Sequence, residues 1–388
     1  MNKALLQIVC KRAFCGNSSE RMFMERVKWI DNARAIGILL IITGHTIGVT
    51  FGRTIFYAIY IVNVSIFFFL SGYLHRQKPI QKVISGGFDN LLLPYIITSV
   101  LMIIFSMIAV KRPNHFLQPY FPTFRQGVIA ACYGIGTATT VIGKTQVNIM
   151  AIGAIWFLPC MFVANLLYTG LRNLTDRYHF SDLACTVLFA GFCALGFVLT
   201  EKFNLYLPWS IPAALVSMFF YWTGEWMHRY HLIQKGKWFH AVFAFIVWGL
   251  SARISTFWLN TATADNPAIA VIGSVAGCYA ICYVSLWLEK CFKEFTKWFS
   301  KLGELSLIVL CTHILDLNTL KTFRIMDKLC GALKISSMKF YTTGLILCRV
   351  VLAVIAIAVI PHIPVIRSFF MYRQYPLVKK REKTVNKG

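Results

Sequence analysis

The part of this chain best suited to chemistry is an arginine and a histidine set eleven residues apart, Arg34 and His45, in a stretch otherwise apolar apart from Asp31 and Asn32. On a helix, eleven steps of about 100° make three turns and about 20°, so both side chains share one face, roughly 16 Å apart along the axis. A guanidinium grips phosphate or carboxylate with a fork of donors. An imidazole takes a proton from a hydroxyl near neutral pH, or carries an acyl group itself. An ionisable residue inside an apolar span is costly and usually faces a functional cavity. The plainer alternative is that Arg34 snorkels to lipid phosphate and His45 is a hydrogen-bonded core residue.

A second cluster ends the next apolar run, Phe67-Phe68-Phe69-Leu70-Ser71-Gly72-Tyr73, with Arg76, Lys78 and Lys82 close behind. A Ser-Gly step lets another backbone or a ligand come close. The cations stand where a phosphate-bearing ligand would meet the protein, although a basic loop after a tight helix end needs no ligand. Trp156 reads as an interfacial anchor or as part of the site's lining. Glu225 and Arg349 fall at or inside apolar stretches, and Arg349 is a candidate for an internal ion pair. His75, His228 and His231 are expected in solvated loops. Gly143-Lys144-Thr145 is not a phosphate-binding loop, because Ala138 stands where that motif needs glycine.

The elements that must hold these residues are membrane helices. The 388 residues are 57% hydrophobic and 14% charged, against about a quarter charged in a soluble domain. Residues 54–75, 91–110, 145–171, 183–200, 203–224 and 266–288 contain no Asp, Glu, Lys or Arg. Each is long enough to cross a bilayer as a helix, which takes roughly 17–25 residues. The reading is an all-α integral membrane protein, a polytopic bundle of about ten transmembrane helices. They are predicted near 35–52, 55–74, 91–110, 150–171, 183–200, 205–226, 238–258, 267–288, 303–317 and 341–361. The uncharged, Gly- and Thr-rich stretch 126–143 reads as a re-entrant or external loop.

A net charge of +24 in a soluble chain would suggest nucleic acid. Here the cations lie between apolar runs, so positive-inside topology and anionic membrane lipid explain them, and no nucleic acid is expected. Lys and Arg are roughly twice as abundant in the segments that are internal when the N-terminus is cytoplasmic, which predicts both termini cytoplasmic. The chain divides into a cytoplasmic appendage (residues 1–25), one membrane domain (26–366) and a basic tail (367–388), with Met22 or Met24 as alternative starts. The 12 cysteines are scattered without a C-x-x-C pair, so they read as small buried residues and no metal site is expected.

Taken together, Trp29-Ile30-Asp31-Asn32-Ala33-Arg34-Ala35-Ile36-Gly37, Gly44-His45-Thr46 and the Phe-Phe-Phe-Leu-Ser-Gly-Tyr run resemble the acyltransferase-3 family. Within it, the chain resembles the branch of fucose 4-O-acetylase-like sugar O-acetyltransferases. The resemblance extends through Leu92-Leu93-Pro94-Tyr95, Trp156-Phe157-Leu158 and Leu302-Gly303-Glu304-Leu305-Ser306-Leu307 to His313, covering roughly residues 26–315. It implies a ten-span enzyme of the cell (inner or plasma) membrane that moves acyl groups from cytoplasmic acyl-CoA to cell-envelope glycans. The essential first-span pair of that family matches Arg34 and His45. The chain departs from the family at Asp89-Asn90, where a basic residue is common, and at Leu310, where tyrosine is common.

On this reading acetyl-CoA is the acyl donor, held among Arg34, Ser71, Gly72, Tyr73, Arg76 and Lys78. His45 is the general base or the acyl carrier, and Asp31, Trp156 and His313 are possible lining of the site. The acceptor is a hydroxyl of a surface glycan or lipid-linked sugar. The competing class is a transporter or flippase, in which intramembrane Arg and His form a substrate or proton path. A structural scaffold, the third class, would tolerate replacement of both.

Overall fold

The computed structural model describes residues 27–372 and Tyr375. The predicted appendage, residues 1–25, and the alternative starts lie outside the described residues, as does most of the predicted tail. In chain order the helices are α1 (Lys28–Ile47), α2 (Arg53–Val62), α3 (Ser65–Tyr73), α4 (Ile80–Gly87), α5 (Leu93–Lys111) and α6 (Phe124–Tyr133). Next come α7 (Phe157–Arg177), α8 (Asp182–Glu201), α9 (Ile211–Arg229), α10 (Leu232–Lys235), α11 (Trp238–Ile254) and α12 (Pro267–Cys291). The last are α13 (Lys293–Glu304), α14 (Ser306–Thr319), α15 (Phe323–Leu333), α16 (Met338–Val359) and α17 (Pro364–Phe370). Two small antiparallel hairpins interrupt them: β1 (Thr139–Ile142) with β2 (Thr145–Ile149), and β3 (Phe257–Trp258) with β4 (Thr263–Ala264).

The protein is all-α and multi-pass. Every stretch predicted as a span contains a helix. Among the described residues, six helical stretches are long and apolar enough to cross a membrane, or up to seven if the bent pair α13–α14 counts as one. Helix α1 is not among the six; Asp31, Asn32, Arg34 and His45 lower its apolarity. The stretch 126–143 forms most of α6 and hairpin strand β1, with Thr123 capping α6 and Gly134, at φ 68°, ending it.

The first span differs from its predicted limits of 35–52. It begins at Lys28 and stops at Ile47, where Gly48 takes φ 50° and breaks the helix. The polar lead-in is therefore helical and buried: Asp31 is 3% exposed and Asn32 0%. Protein replaces water around it. The Trp29 N–H donates to Glu289 Oε2 at 3.1 Å, satisfying a donor the helix start leaves open. Gly303 of α13 lies so close to α1 that a Cβ there would overlap the Asp31 carbonyl oxygen. The predicted ninth span, 303–317, also resolves differently. Helix α13 is a separate amphipathic helix against α1, and α14 leaves it at a 62° bend.

The bundle is fastened by close approaches of the same kind. A Cβ on Gly72 would run into the Tyr221 carbonyl, and one on Gly224 into the Phe69 carbonyl, so α3 and α9 meet backbone to backbone. At the break between α2 and α3 the Ile61 carbonyl accepts from Ser65 Oγ at 3.2 Å and from Ser274 Oγ of α12 at 2.7 Å. At the end of the bundle where α1 stops, the connecting segments form a cap. Tyr133 OH donates to the Tyr206 carbonyl at 2.7 Å, Trp209 Nε1 to the Cys132 carbonyl at 3.1 Å, and Asn260 Nδ2 to Thr137 Oγ1 at 2.7 Å.

Candidate active site

Helix α1 carries both residues singled out from the sequence, at opposite ends. Arg34 lies in its second turn, donating to Asp31 Oδ1 at 3.1 Å, with about a third of its side chain exposed. His45 lies in the last turn, nearer the cap than the predicted span placed it. Its ring centroid is 5.9 Å from that of His313 on α14 and 6.3 Å from that of Tyr60 on α2. Tyr60 also contacts Trp258 of the cap at 4.9 Å. The structure thus brings together three helices at the His45 end, beneath the cap.

His313 is 4% exposed and neither of its ring nitrogens has a hydrogen-bond partner. An unpaired buried polar group costs roughly 1–3 kcal/mol, so an imidazole left unpaired beside that of His45 calls for an explanation other than packing. Two imidazoles facing one another can bracket a reacting hydroxyl or carbonyl, one accepting a proton while the other donates.

One turn beyond His313 on α14 is Asp316, 4% exposed. Its Oδ2 accepts from Arg349 Nε of α16 at 3.1 Å, and its Oδ1 accepts from Thr322 Oγ1. Arg349 Nη1 donates to Thr46 Oγ1 at 2.7 Å, and Thr46 follows His45. A buried ion pair therefore sits at the junction of the two histidine-bearing helices. It supplies the partner for Arg349 that spacing could not name.

The other predicted residues occupy the Arg34 end. Tyr73 stacks edge-on against Trp29 at 5.2 Å and against His228 at 4.6 Å, and its OH accepts from Gln234 Nε2 at 2.6 Å. Ser71 Oγ is turned onto its own helix, donating to the Phe67 carbonyl at 2.8 Å, while Gly72 makes the helix contact described above. Arg76 and Lys78 stand exposed just beyond α3.

Two expectations are corrected. Trp156 is 5% exposed, and a Cβ on Gly136 would strike its ring. A tryptophan covered by its own protein is not an interfacial anchor. His75 is half-buried rather than solvated, its ring edge-on to Tyr168 at 5.0 Å, and burial pulls its pKa below the usual 6.5. His228 and His231 are exposed as expected.

A family model of an acyltransferase domain matches residues 27–362. The chain belongs to the acyltransferase-3 family. No curated protein and no solved structure matches it. This family member is thus a membrane acyltransferase, with an acyl donor and an acceptor as its substrates. Among its described residues, no group of three or more His, Cys, Asp or Glu could hold a metal ion.

Within this acyltransferase, sequence reasoning missed Asp316, Thr46 and Tyr60. Asp316 carried a signal: it stands three residues after His313, a spacing that places both on neighbouring positions of one helix face. It lies inside the predicted ninth span, 303–317, where an acidic residue marks a buried partner rather than a loop. Tyr60 gave none, as one aromatic among many.

Proposed function

We propose that this acyltransferase moves an acetyl group from cytoplasmic acetyl-CoA to a hydroxyl of a cell-envelope glycan or lipid-linked sugar. It does so within the cell membrane as a ten-span bundle with both termini cytoplasmic, the membrane domain filling residues 26–366. The observation that carries this reading is that His45, on the same helix as Arg34, stands 5.9 Å ring to ring from the unpaired, buried His313 of α14.

Arg34, with Tyr73, Arg76 and Lys78 near the same end, binds the phosphates of CoA, and Ser71 and Gly72 border the entry. Asp31 holds the Arg34 guanidinium in place. The pantetheine arm runs along α1 and covers the roughly 16 Å rise from Arg34 to His45. There His45 takes the proton of the acceptor hydroxyl, whose oxygen attacks the thioester carbonyl. The C–S bond breaks, the ester forms, and the proton passes to the departing CoA thiolate. Alternatively, His45 accepts the acyl group first and hands it on. His313 and Trp156 line the acceptor side.

The test uses membranes containing the full chain, supplied with acetyl-CoA labelled in the acetyl group. Label in the glycan fraction, a mass gain of about 42 Da on a sugar, and loss of both on His45→Ala are expected. Glycan that never acquires label from any acyl-CoA overturns the reading. A labelled protein peptide containing residue 45, caught by rapid acid quench, selects the acyl-histidine route over direct attack.

A further inference from the structure

A guanidinium on a third helix links the helices that carry His45 and His313. Arg349, from a third helix, reaches both: through Thr46 it holds α1 one residue past His45, and through Asp316 it holds α14 one turn past His313. The pair is nearly enclosed, with side-chain exposures of 8% and 4%. A buried ion pair is a poor stabiliser, since apolar residues of similar volume often serve as well or better. Its value lies in direction: a guanidinium fork fixes two partners at set angles, which packing alone does not.

We propose that Arg349 and Asp316 are positioning residues that set the spacing and mutual orientation of His45 and His313. The idea deepens the acyl-transfer reading and rests on it for the rate effect, though not for the geometry. Thr322 extends the device. Its hydroxyl donates to Asp316, and it follows Lys321, whose backbone N–H donates to the Phe116 carbonyl at 2.9 Å. A continuous line of contacts therefore runs from the segment around residue 116, through Asp316 and Arg349, to the residue beside His45. The position of the two imidazoles is fixed from the cap side, independently of Arg34 at the other end.

The experiment replaces the pair by apolar residues of similar volume, Asp316→Leu with Arg349→Met, in the full-length protein. This removes the directed contacts without leaving a lone buried charge. Insertion and folding are checked by size-exclusion profile and melting in detergent. The turnover number is expected to fall about 100-fold, as a displacement near 1 Å of a reacting group does. The KM for acetyl-CoA is expected to stay within about twofold, because the donor's phosphates bind elsewhere. A turnover number within about threefold of the unaltered pair, in folded protein, overturns the proposal.

A second arm needs no substrate. With His45→Cys and His313→Cys, a short thiol-specific cross-linker should join the two positions, and mass spectrometry identifies the linked peptide. Adding the apolar pair should abolish most of that product; undiminished cross-linking overturns the proposal. Should the apolar double variant fail to accumulate, Arg349→Lys decides. It keeps the charge but cannot bond Asp316 and Thr46 with one fork, so it should lose turnover, and full turnover overturns the idea. Should the unaltered protein transfer no acyl group at all, the functional reading fails, while the cross-linking arm still judges the spacing.

Discussion

Two ionic clusters occupy opposite ends of this bundle, and they are built on different terms. At the Arg34 end, Arg172 pairs with Asp176 at 2.7 Å and with Glu225 at 3.0 Å. Arg229 bridges Glu225 at 2.9 Å and Asp182 at 2.5 Å. Tyr168 OH adds a further bond to Glu225 at 2.6 Å, and both arginines lie over the Trp222 ring. Each charge there meets several partners. At the His45 end, one carboxylate and one guanidinium stand beside a histidine with no partner at all. A saturated network of this kind ties α7, α8 and α9 together and has no capacity left for a substrate. A sparse cluster with an unmet donor and acceptor is what a reacting centre requires. Charge inside a membrane protein is thus not by itself a sign of function; what sets the His45 end apart is a buried imidazole with both ring nitrogens unpaired next to a second imidazole.

The largest test of that contrast is His45→Ala. Transfer should fall by about 10²–10⁴-fold, the usual loss on removing a general base, with the amount of inserted protein unchanged. If His45→Ala lowers only protein level, the sparse cluster is architecture after all. Next in size is Arg34→Ala, which should weaken acetyl-CoA binding by roughly 10–100-fold, since bonds to charged groups contribute about 1.5–3 kcal/mol each. Arg34→Lys should recover only part of it, because a point charge does not replace the fork. Titration of KM for the donor reads both.

Glu225→Gln addresses the saturated end. It leaves Arg172 and Arg229 short of a carboxylate and should lower stability by about 1–3 kcal/mol, seen as earlier melting in detergent. Turnover per folded molecule should not change, and a selective loss of turnover would dissolve the distinction between the two clusters. The smallest effect concerns His75, whose Nε2 is buried without a partner next to Tyr168. Burial depresses its pKa most, with Arg172 and Lys78 acting in the same direction and Glu225 and Asp176 against it. The unfolded chain therefore binds the proton first as pH falls. Stability at this site is complete above the ordinary histidine value of 6.5 and declines as pH drops below it. His75→Phe should flatten the difference in melting temperature between about pH 7.5 and about pH 5.5. An unaltered slope would remove His75 from the account.

Membrane helices were legible because a bilayer demands long apolar runs, and every stretch marked by absence of charge contains a helix. Their ends were less so. Span one begins at Lys28 rather than at 35 because α12 and α13 pack against its polar lead-in, burying Asp31 and Asn32; nothing local in α1 announces a helix that returns from residue 293. The Arg34 and His45 pair was legible because both sit on one helix, where spacing alone fixes the geometry. The Asp316 and Arg349 pair was not, since 33 residues and a change of helix separate them. At Gly72 the Ser-Gly step serves the first of the two uses it permits, a close backbone approach: its missing side chain admits the Tyr221 carbonyl.

The cap has a consequence for how this enzyme can be re-engineered. Its segments are stitched to one another: Tyr133 to Tyr206, Trp209 to Cys132, Asn260 to Thr137, and the Gly143 N–H to the Asn204 carbonyl at 3.0 Å. Loops held this way are not interchangeable parts. A chimera that swaps residues 112–153 alone would leave orphaned partners in 202–210 and 255–266, and its failure would say nothing about which loop selects the acceptor. With 317–324, which Lys321 and Gln118 tie to 112–153, the segments form one module, to be grafted, randomised or inherited as a set.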